Sequence, residues 1–409
     1  MEQKISGSRW FAYDTKHIGV LDGIRAIAIL IVLWFHFWQQ TWLMPYYPTP
    51  MLERFGYTAV DLNLLRRCGY LCVDLMILIS GFVLFLPYAR HRIEGTPIDS
   101  TGVFYRKRAA RILPSYLFSV TVMFVVSLLQ GSYLGRASFM WHDLLSHLTF
   151  TFMLRADTYL FTAINGVLWT VVIEVMFYAI MPQLGKLFER FPVPTYLVMV
   201  AVGLGSIFLF YSKQSDLSLY VNRFFTFLPV FANGMLGAYV YVWFVHRAPI
   251  KPAWSGMGIA VAIGALLWLQ RLFEGCLHAQ SIQYWQLTMR YPLSIAYLLL
   301  VLGFCLAPKP IRRLLDNRVL GAIAAVSYNV YLWHHFIIVH LRAAFGCSNG
   351  ADVTALGAQT QWILTVEGLV LTFIAAILIT YGIERPFRNW IMGRSLRIEN
   401  MHKTGEKHG

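Results

Sequence analysis

Apolar residues occur in long unbroken runs, not in the alternation of a strand or the one-sided stripe of a surface helix. Ten runs lie near residues 18–38, 70–88, 112–130, 166–182, 195–211, 224–245, 256–270, 286–306, 320–341 and 362–383. A helix crosses a bilayer with roughly 20 apolar residues, so the pattern predicts ten crossings. Several runs contain Pro or Gly, which membrane helices tolerate where neighbours satisfy the backbone. The expected fold class is an all-α integral membrane protein of about ten transmembrane helices. Residues 1–17 read as a cytoplasmic N-terminal segment, 18–390 as one transmembrane domain and 391–409 as a cytoplasmic basic tail. The first run is too long for a signal peptide and lacks a small-residue cleavage site. The chain stops soon after the tenth run, which predicts no attached soluble domain.

Composition agrees: 57% of residues are hydrophobic and 13% charged, which excludes a soluble globular protein. The net charge of +14 does not point to nucleic acid, because the basic residues fall in short segments between runs. Lys and Arg concentrate in alternate segments, starting with the N-terminus, which predicts both termini in the cytoplasm of a multi-pass cell-membrane protein. In a bacterium that is the inner membrane. Cys68, Cys72, Cys276, Cys305 and Cys347 have no metal-binding spacing, and Cys68 and Cys72 are expected to be unpaired. No metal is expected.

Against this apolar background a few ionisable residues stand out, and each is costly in a membrane span. The first run carries Asp22, Arg25 and His36. Arg25 and His36 are eleven residues apart. On a helix they return to within roughly 20° of each other and lie roughly 16–17 Å apart along the axis. One face thus presents a cation in its inner half and an imidazole near its outer end. Asp74 lies in the second run, as a counter-ion or an interfacial carboxylate. Ser80-Gly81 in the same run and FANGMLGAYV in the sixth predict close helix packing. Glu174 sits near the middle of the fourth run and needs a cation, a proton or water. Arg25 is the obvious partner, in a structural ion pair, a catalytic arrangement or both.

The first inner segment is the most basic, with Arg106, Lys107, Arg108 and Arg111 just before the third run. It reads as a positive-inside anchor or as an anion site, since Arg pairs well with phosphate. Arg108 and Arg111 share a helix face if that helix starts early. The ninth run ends SYNVYLWHH, with Ser327 and His334 as further candidates. His334 and His335 beside Trp333 have the pattern of an interfacial belt. The last run ends YGIERPFRNW, with Glu384 and Arg385 expected at the inner surface and Pro386 helping to stop the helix.

Taken in order, LDGIRAIAILIVLWFH, VDLMILISGF, FYRKRAARILPSY, LWTVVIEVMFYAIMP, SYNVYLWHH and TYGIERPFRNW resemble the acyltransferase 3 family of membrane O-acyltransferases, over roughly residues 18–390. The family's Arg-x10-His pair matches at Arg25 and His36, its R-x-x-R at Arg108 and Arg111, and its acidic residue at Glu174. Many members carry an appended extracytoplasmic hydrolase-like domain; the expectation here is the stand-alone membrane form. The resemblance implies transfer of an acyl group, usually acetyl, from cytoplasmic acyl-CoA to a hydroxyl of a carbohydrate or another glycosylated or hydroxylated small molecule.

The residues suit that chemistry. Arg108 and Arg111 would hold the phosphates of CoA, and His36 would take the proton of the attacking hydroxyl. Arg25 would orient the thioester or stabilise its oxyanion, with Glu174 fixing Arg25 or another group. A covalent acyl-enzyme on Ser327 or His36 is the variant route. The expected partners are the lipid bilayer, acyl-CoA and the acceptor. The competing class is a proton-coupled multi-span exporter of an anionic solute, which would also bury Arg, His and Glu. Consumption of acyl-CoA separates the two.

Overall fold

The computed structural model describes residues 13–43, 46–48, 53–54, 56, 59–61, 68–212, 217–247 and 252–393. The basic tail beyond residue 393 and the segment before residue 13 lie outside these. Among the described residues, ten helices are long and apolar enough to cross a membrane. They coincide one for one with the ten apolar runs, and the protein is an all-α multi-span membrane protein.

The chain divides into two compact units. Unit 1 comprises Met1–Ile98, Gln183–Ser327 and Gly350–Gln361. It contains α1 (Gly19–Thr41), α2 (Cys72–Glu94), α7 (Pro192–Ser212), α8 (Leu228–Arg247), α9 (Pro252–Leu277), α10 (Ile282–Leu306), α11 (Lys309–Leu315) and α13 (Gly350–Ala355). Unit 2 comprises Asp99–Pro182, Tyr328–Asn349 and Trp362–Gly409. It contains α3 (Thr101–Leu129), α4 (Ala137–Leu148), α5 (Ala156–Leu160) and, from Trp362 on, α14 (Ala358–Ile379), which widens into a π turn over Thr380–Glu384. α6 (Trp169–Arg190) and α12 (Arg318–Ala344) contribute residues to both units. A short antiparallel ribbon, Tyr46–Pro48 against Ala59–Asp61, is the one strand pair among the described residues.

Unit 1 is built on close helix approach. α2 lies against α8 where Gly81 faces the Phe231 carbonyl and Gly234 faces the Leu78 carbonyl; a Cβ on Gly234 would stand 2.1 Å from that oxygen. Both expected small-residue seams are therefore real, and they are two sides of one contact. Association of helices in lipid depends on such packing, because lipid tails are as apolar as the side chains. Phe82, Phe85 and Phe231 fill the space around it and are fully buried.

Unit 2 is held by side chains that bond to backbone carbonyls on other elements. Tyr105 donates to Ala179 O at 2.8 Å, Tyr328 to Ile112 O at 3.3 Å, Tyr331 to Val167 O at 2.9 Å and Asn165 Nδ2 to Leu332 O at 3.1 Å. α3 begins at Thr101, well before its apolar run. Ser100 caps it by accepting from the Val103 N–H at 3.4 Å. The early start puts Arg108 and Arg111 inside the helix, as their shared face requires.

Candidate functional site

In unit 1, α1 is continuous from Gly19 to Thr41, so Arg25 and His36 do lie on one helix. Arg25 Nη1 stands 3.5 Å from Asp22 Oδ1, and the other Asp22 oxygen is 3.3 Å from His17 Nε2. His36 Nδ1 is 3.2 Å from Gln39 Oε1, and its ring meets the Phe35 ring edge-on at 4.9 Å. An axial separation of roughly 16–17 Å exceeds what the two side chains can span to meet one carbonyl carbon.

Asp74, which reads from sequence as either counter-ion or interfacial carboxylate, is a counter-ion. It is fully buried and accepts from Arg290 Nε at 3.2 Å. Arg290 is the largest fully buried side chain among the described residues. It also donates to Val221 O and Thr226 Oγ1, both at 2.6 Å, and lies 4.0 Å over the Phe227 ring. Burial of a guanidinium is tolerated only with this degree of pairing. Arg290 lies within the eighth apolar run, and the structure places its side chain inside the fold.

Unit 2 gathers the remaining candidates. Glu174 accepts a hydrogen bond from the Tyr178 hydroxyl. The Arg108 guanidinium packs between the rings of Phe104 and Tyr178, 5.6 and 5.7 Å from their centroids, and its Nε is buried without a hydrogen-bond partner. One turn further on, Arg111 Nη1 donates to Glu384 Oε1 at 2.5 Å. The second Glu384 oxygen accepts from Asn329 Nδ2 at 2.9 Å, and Asn329 also donates to Thr380 Oγ1 at 2.8 Å. Arg111 lies over the Tyr328 ring at 5.8 Å. Glu384 is buried in the protein: only 1% of its side chain is exposed. The π turn carries it into the protein, where Arg111 and Asn329 hold it.

The other candidates from SYNVYLWHH have structural partners. Ser327 donates back to Ala324 O at 2.8 Å within its own helix. His334 is fully buried and donates from Nδ1 to Tyr331 O at 2.7 Å, which is not the exposure of an interfacial belt residue. The five cysteines are buried and none is in a disulfide.

One buried cluster had no signal in the apolar pattern. Asp143 and His147 sit one turn apart on α4 and are fully buried. Asp143 Oδ2 accepts from Tyr133 Oη at 2.8 Å and from the Ala163 N–H at 3.0 Å, and His147 Nδ1 is 3.3 Å from Oδ1. Burial pushes the Asp143 carboxyl up, but the adjacent His147 imidazole and the hydrogen bonds from Tyr133 and Ala163 together outweigh it and hold it below the ordinary carboxylate value. A buried acid and base at i, i+4 read as ordinary loop polarity when the loop's fold is unknown.

A multi-span membrane protein with an Arg/His helix face in one unit and an Arg–Glu–Asn network in the other defines the class. A family model described as an acyltransferase domain matches residues 18–381, and the chain belongs to that family, acyltransferase 3. A Staphylococcus aureus (strain COL) protein provisionally named an O-acetyltransferase is 23% identical over 386 residues, 91% of this chain and 58% of that protein. A counterpart from S. aureus strain N315, named in the same way, shares the same identity and coverage. Nodulation protein 10 of Rhizobium leguminosarum bv. viciae is 26% identical over 147 residues, 32% of this chain and 37% of the relative. The chain thus spans about three-fifths of the length of the S. aureus relatives. No solved structure matches it.

Proposed function

We propose that this protein is a membrane O-acyltransferase that moves an acyl group, most simply acetyl, from cytoplasmic acyl-CoA to a hydroxyl of a carbohydrate or other glycosylated or hydroxylated acceptor. The observation that carries this reading is the family match across residues 18–381, which takes in Arg25, His36, Arg108, Arg111 and Glu174. The S. aureus relatives' name favours acetyl as the group and oxygen as the acceptor atom.

In this reading both termini are cytoplasmic, so Arg25 is in the inner half of α1 and His36 is near its outer end. The neutral His36 imidazole removes the acceptor's hydroxyl proton as the oxygen attacks the thioester carbonyl. The C–S bond then breaks and CoA leaves as the thiolate. Arg25, steadied by Asp22, orients the donor. Arg108 and Arg111 bind its phosphates; the aromatic walls around Arg108 and the Glu384 carboxylate beside Arg111 fix the two guanidinium planes. Glu174 acts through Tyr178 as a positioning residue.

The test is release of free CoA from acetyl-CoA by the purified full-length chain, with crude envelope glycans as acceptor, wild type beside His36→Ala. Transfer by the wild type and a loss of at least about a hundredfold in the variant is the expected result. A variant with near-normal turnover would remove His36 from the chemistry. No release and no CoA binding by the wild type would favour export of an anionic solute instead.

A further inference from the structure

Unit 1 contains a cavity of about 490 Å3 at the N-terminal end of α1. One wall is the segment from Tyr13 to His17. The other is α11, which brings Lys309, Arg312 and Arg313 to the same opening. Glycine makes this approach possible. A Cβ on Gly19 would stand 2.1 Å from Asp316 Oδ1, and one on Gly23 would stand 2.1 Å from the Leu315 carbonyl oxygen.

The walls are fixed in place. Tyr13 donates to Leu306 O at 2.9 Å, Tyr241 donates to Asp14 O at 3.0 Å, and the Arg312 guanidinium lies 4.2 Å over the Tyr13 ring. Three cations share the opening with two carboxylates, Asp14 and Asp316, and Asp14 already accepts from the Lys16 N–H at 2.7 Å. The acyl-transfer reading uses none of these cations. Beside them Leu314 and Val319 are 67% and 69% exposed. Exposed apolar groups beside Arg, Leu314 on the short helix α11 and Val319 at the start of the next span, are the pattern of a membrane interface, where cations meet headgroup phosphates.

We propose that this cavity binds a phosphate ester of net negative charge, with Lys309, Arg312 and Arg313 as its cationic side. Arginine and lysine both bind phosphate, Arg through a planar fork and Lys as a point charge. The anionic headgroup of a phospholipid and the phosphorylated end of a nucleotide both carry that group. The site does not depend on acyl transfer.

The full-length protein in neutral detergent is titrated with dioctanoyl phosphatidylglycerol, dioctanoyl phosphatidylcholine and adenosine bisphosphate, and binding is read by native mass spectrometry and thermal shift. Lys309→Gln and Arg313→Gln are the variants; Arg312 is left intact because it also supports Tyr13. Arg271→Gln, an exposed cation outside the cavity, is the control. One anionic probe binds saturably, and each cation removed weakens it about fivefold, with no change in the control. Preference for phosphatidylglycerol over phosphatidylcholine identifies a lipid headgroup as the source, and binding of adenosine bisphosphate that Lys309→Gln and Arg313→Gln each weaken identifies a nucleotide. The proposal is overturned if no anionic probe saturates, if phosphatidylcholine binds as well as every anionic probe, or if both variants bind the anionic probe as the wild type does.

Discussion

Glu384 is the residue on which unit 2's polar network converges. One carboxylate oxygen takes Arg111 and the other takes Asn329, and all but 1% of the side chain is out of solvent. Removing one member of a buried pair costs about 3–5 kcal/mol, because the other charge stays behind. Arg111 keeps roughly a third of its side chain exposed, so the lower end applies. Glu384→Ala should destabilise the protein by about 3 kcal/mol in detergent unfolding, and pairing it with Arg111→Met should recover part of the loss. A single variant as stable as the wild type would mean that water replaces the carboxylate at no cost. Asp143 supplies a pH signature. Its folded carboxyl titrates below the ordinary value of 3.8. The group therefore contributes stability at pH values above 3.8, and that contribution is lost as the pH falls through the lower folded value. Between about pH 5 and pH 3 the melting temperature of the wild type should fall further than that of Asp143→Asn. Parallel curves would remove Asp143 from the acid transition. Neither Glu384 nor Asp143 reads as buried from sequence. Their partners, Arg111 and Ala163, are brought to them by tertiary structure, and a charge beside Pro386 or inside a polar loop looks solvated. Arg290 was hidden in the same way, since Asp74 lies 216 residues before it.

At the scale of elements the sequence is far more explicit, because an apolar run long enough to span a bilayer has few alternative fates. The ten predicted runs and the ten observed helices coincide, and the differences are at their ends. α3 starts eleven residues before its apolar run because Arg106 to Arg111 are helical without being apolar. α4, α5, α11 and α13 have no counterpart in the pattern, since short helices outside the spans leave no long apolar run. Small residues were also informative. Gly81 and Gly234 bring α2 and α8 to backbone contact, and the obstacle to a side chain at Gly234 is the Leu78 carbonyl, which has no rotamer to change. Gly234→Ala must push the two helices apart. A destabilisation of about 1–3 kcal/mol is expected, read as a lower melting temperature of the purified protein. Gly264→Ala, where a Cβ meets nothing, serves as the comparison and should be neutral or slightly stabilising. Equal behaviour of the two would show that α2 and α8 separate freely.

For the molecule as a whole, the proposed chemistry depends on orientation, because an acyl-CoA donor is cytoplasmic and His36 must lie toward the opposite end of α1 from the donor's entry. Lys and Arg distribution argues for a cytoplasmic N-terminus, and ten crossings return the C-terminus to the same side. Asp99 precedes α3, and Arg155 lies between α3 and α6, so one crossing separates them. All five native cysteines are buried, which leaves a low background for a membrane-impermeant maleimide. Asp99 and Arg155 are both surface residues, and the ion pairs they lose, to Lys107 and Asp157, are exposed ones of small value. In intact cells Arg155→Cys should label and Asp99→Cys should label only after permeabilisation. The reverse pattern would turn the helix over, put Arg25 toward the outside, and leave Arg108 and Arg111 facing a compartment without acyl-CoA. Labelling of both in intact cells would mean that α3 does not cross, and the ten-span architecture would fail with it.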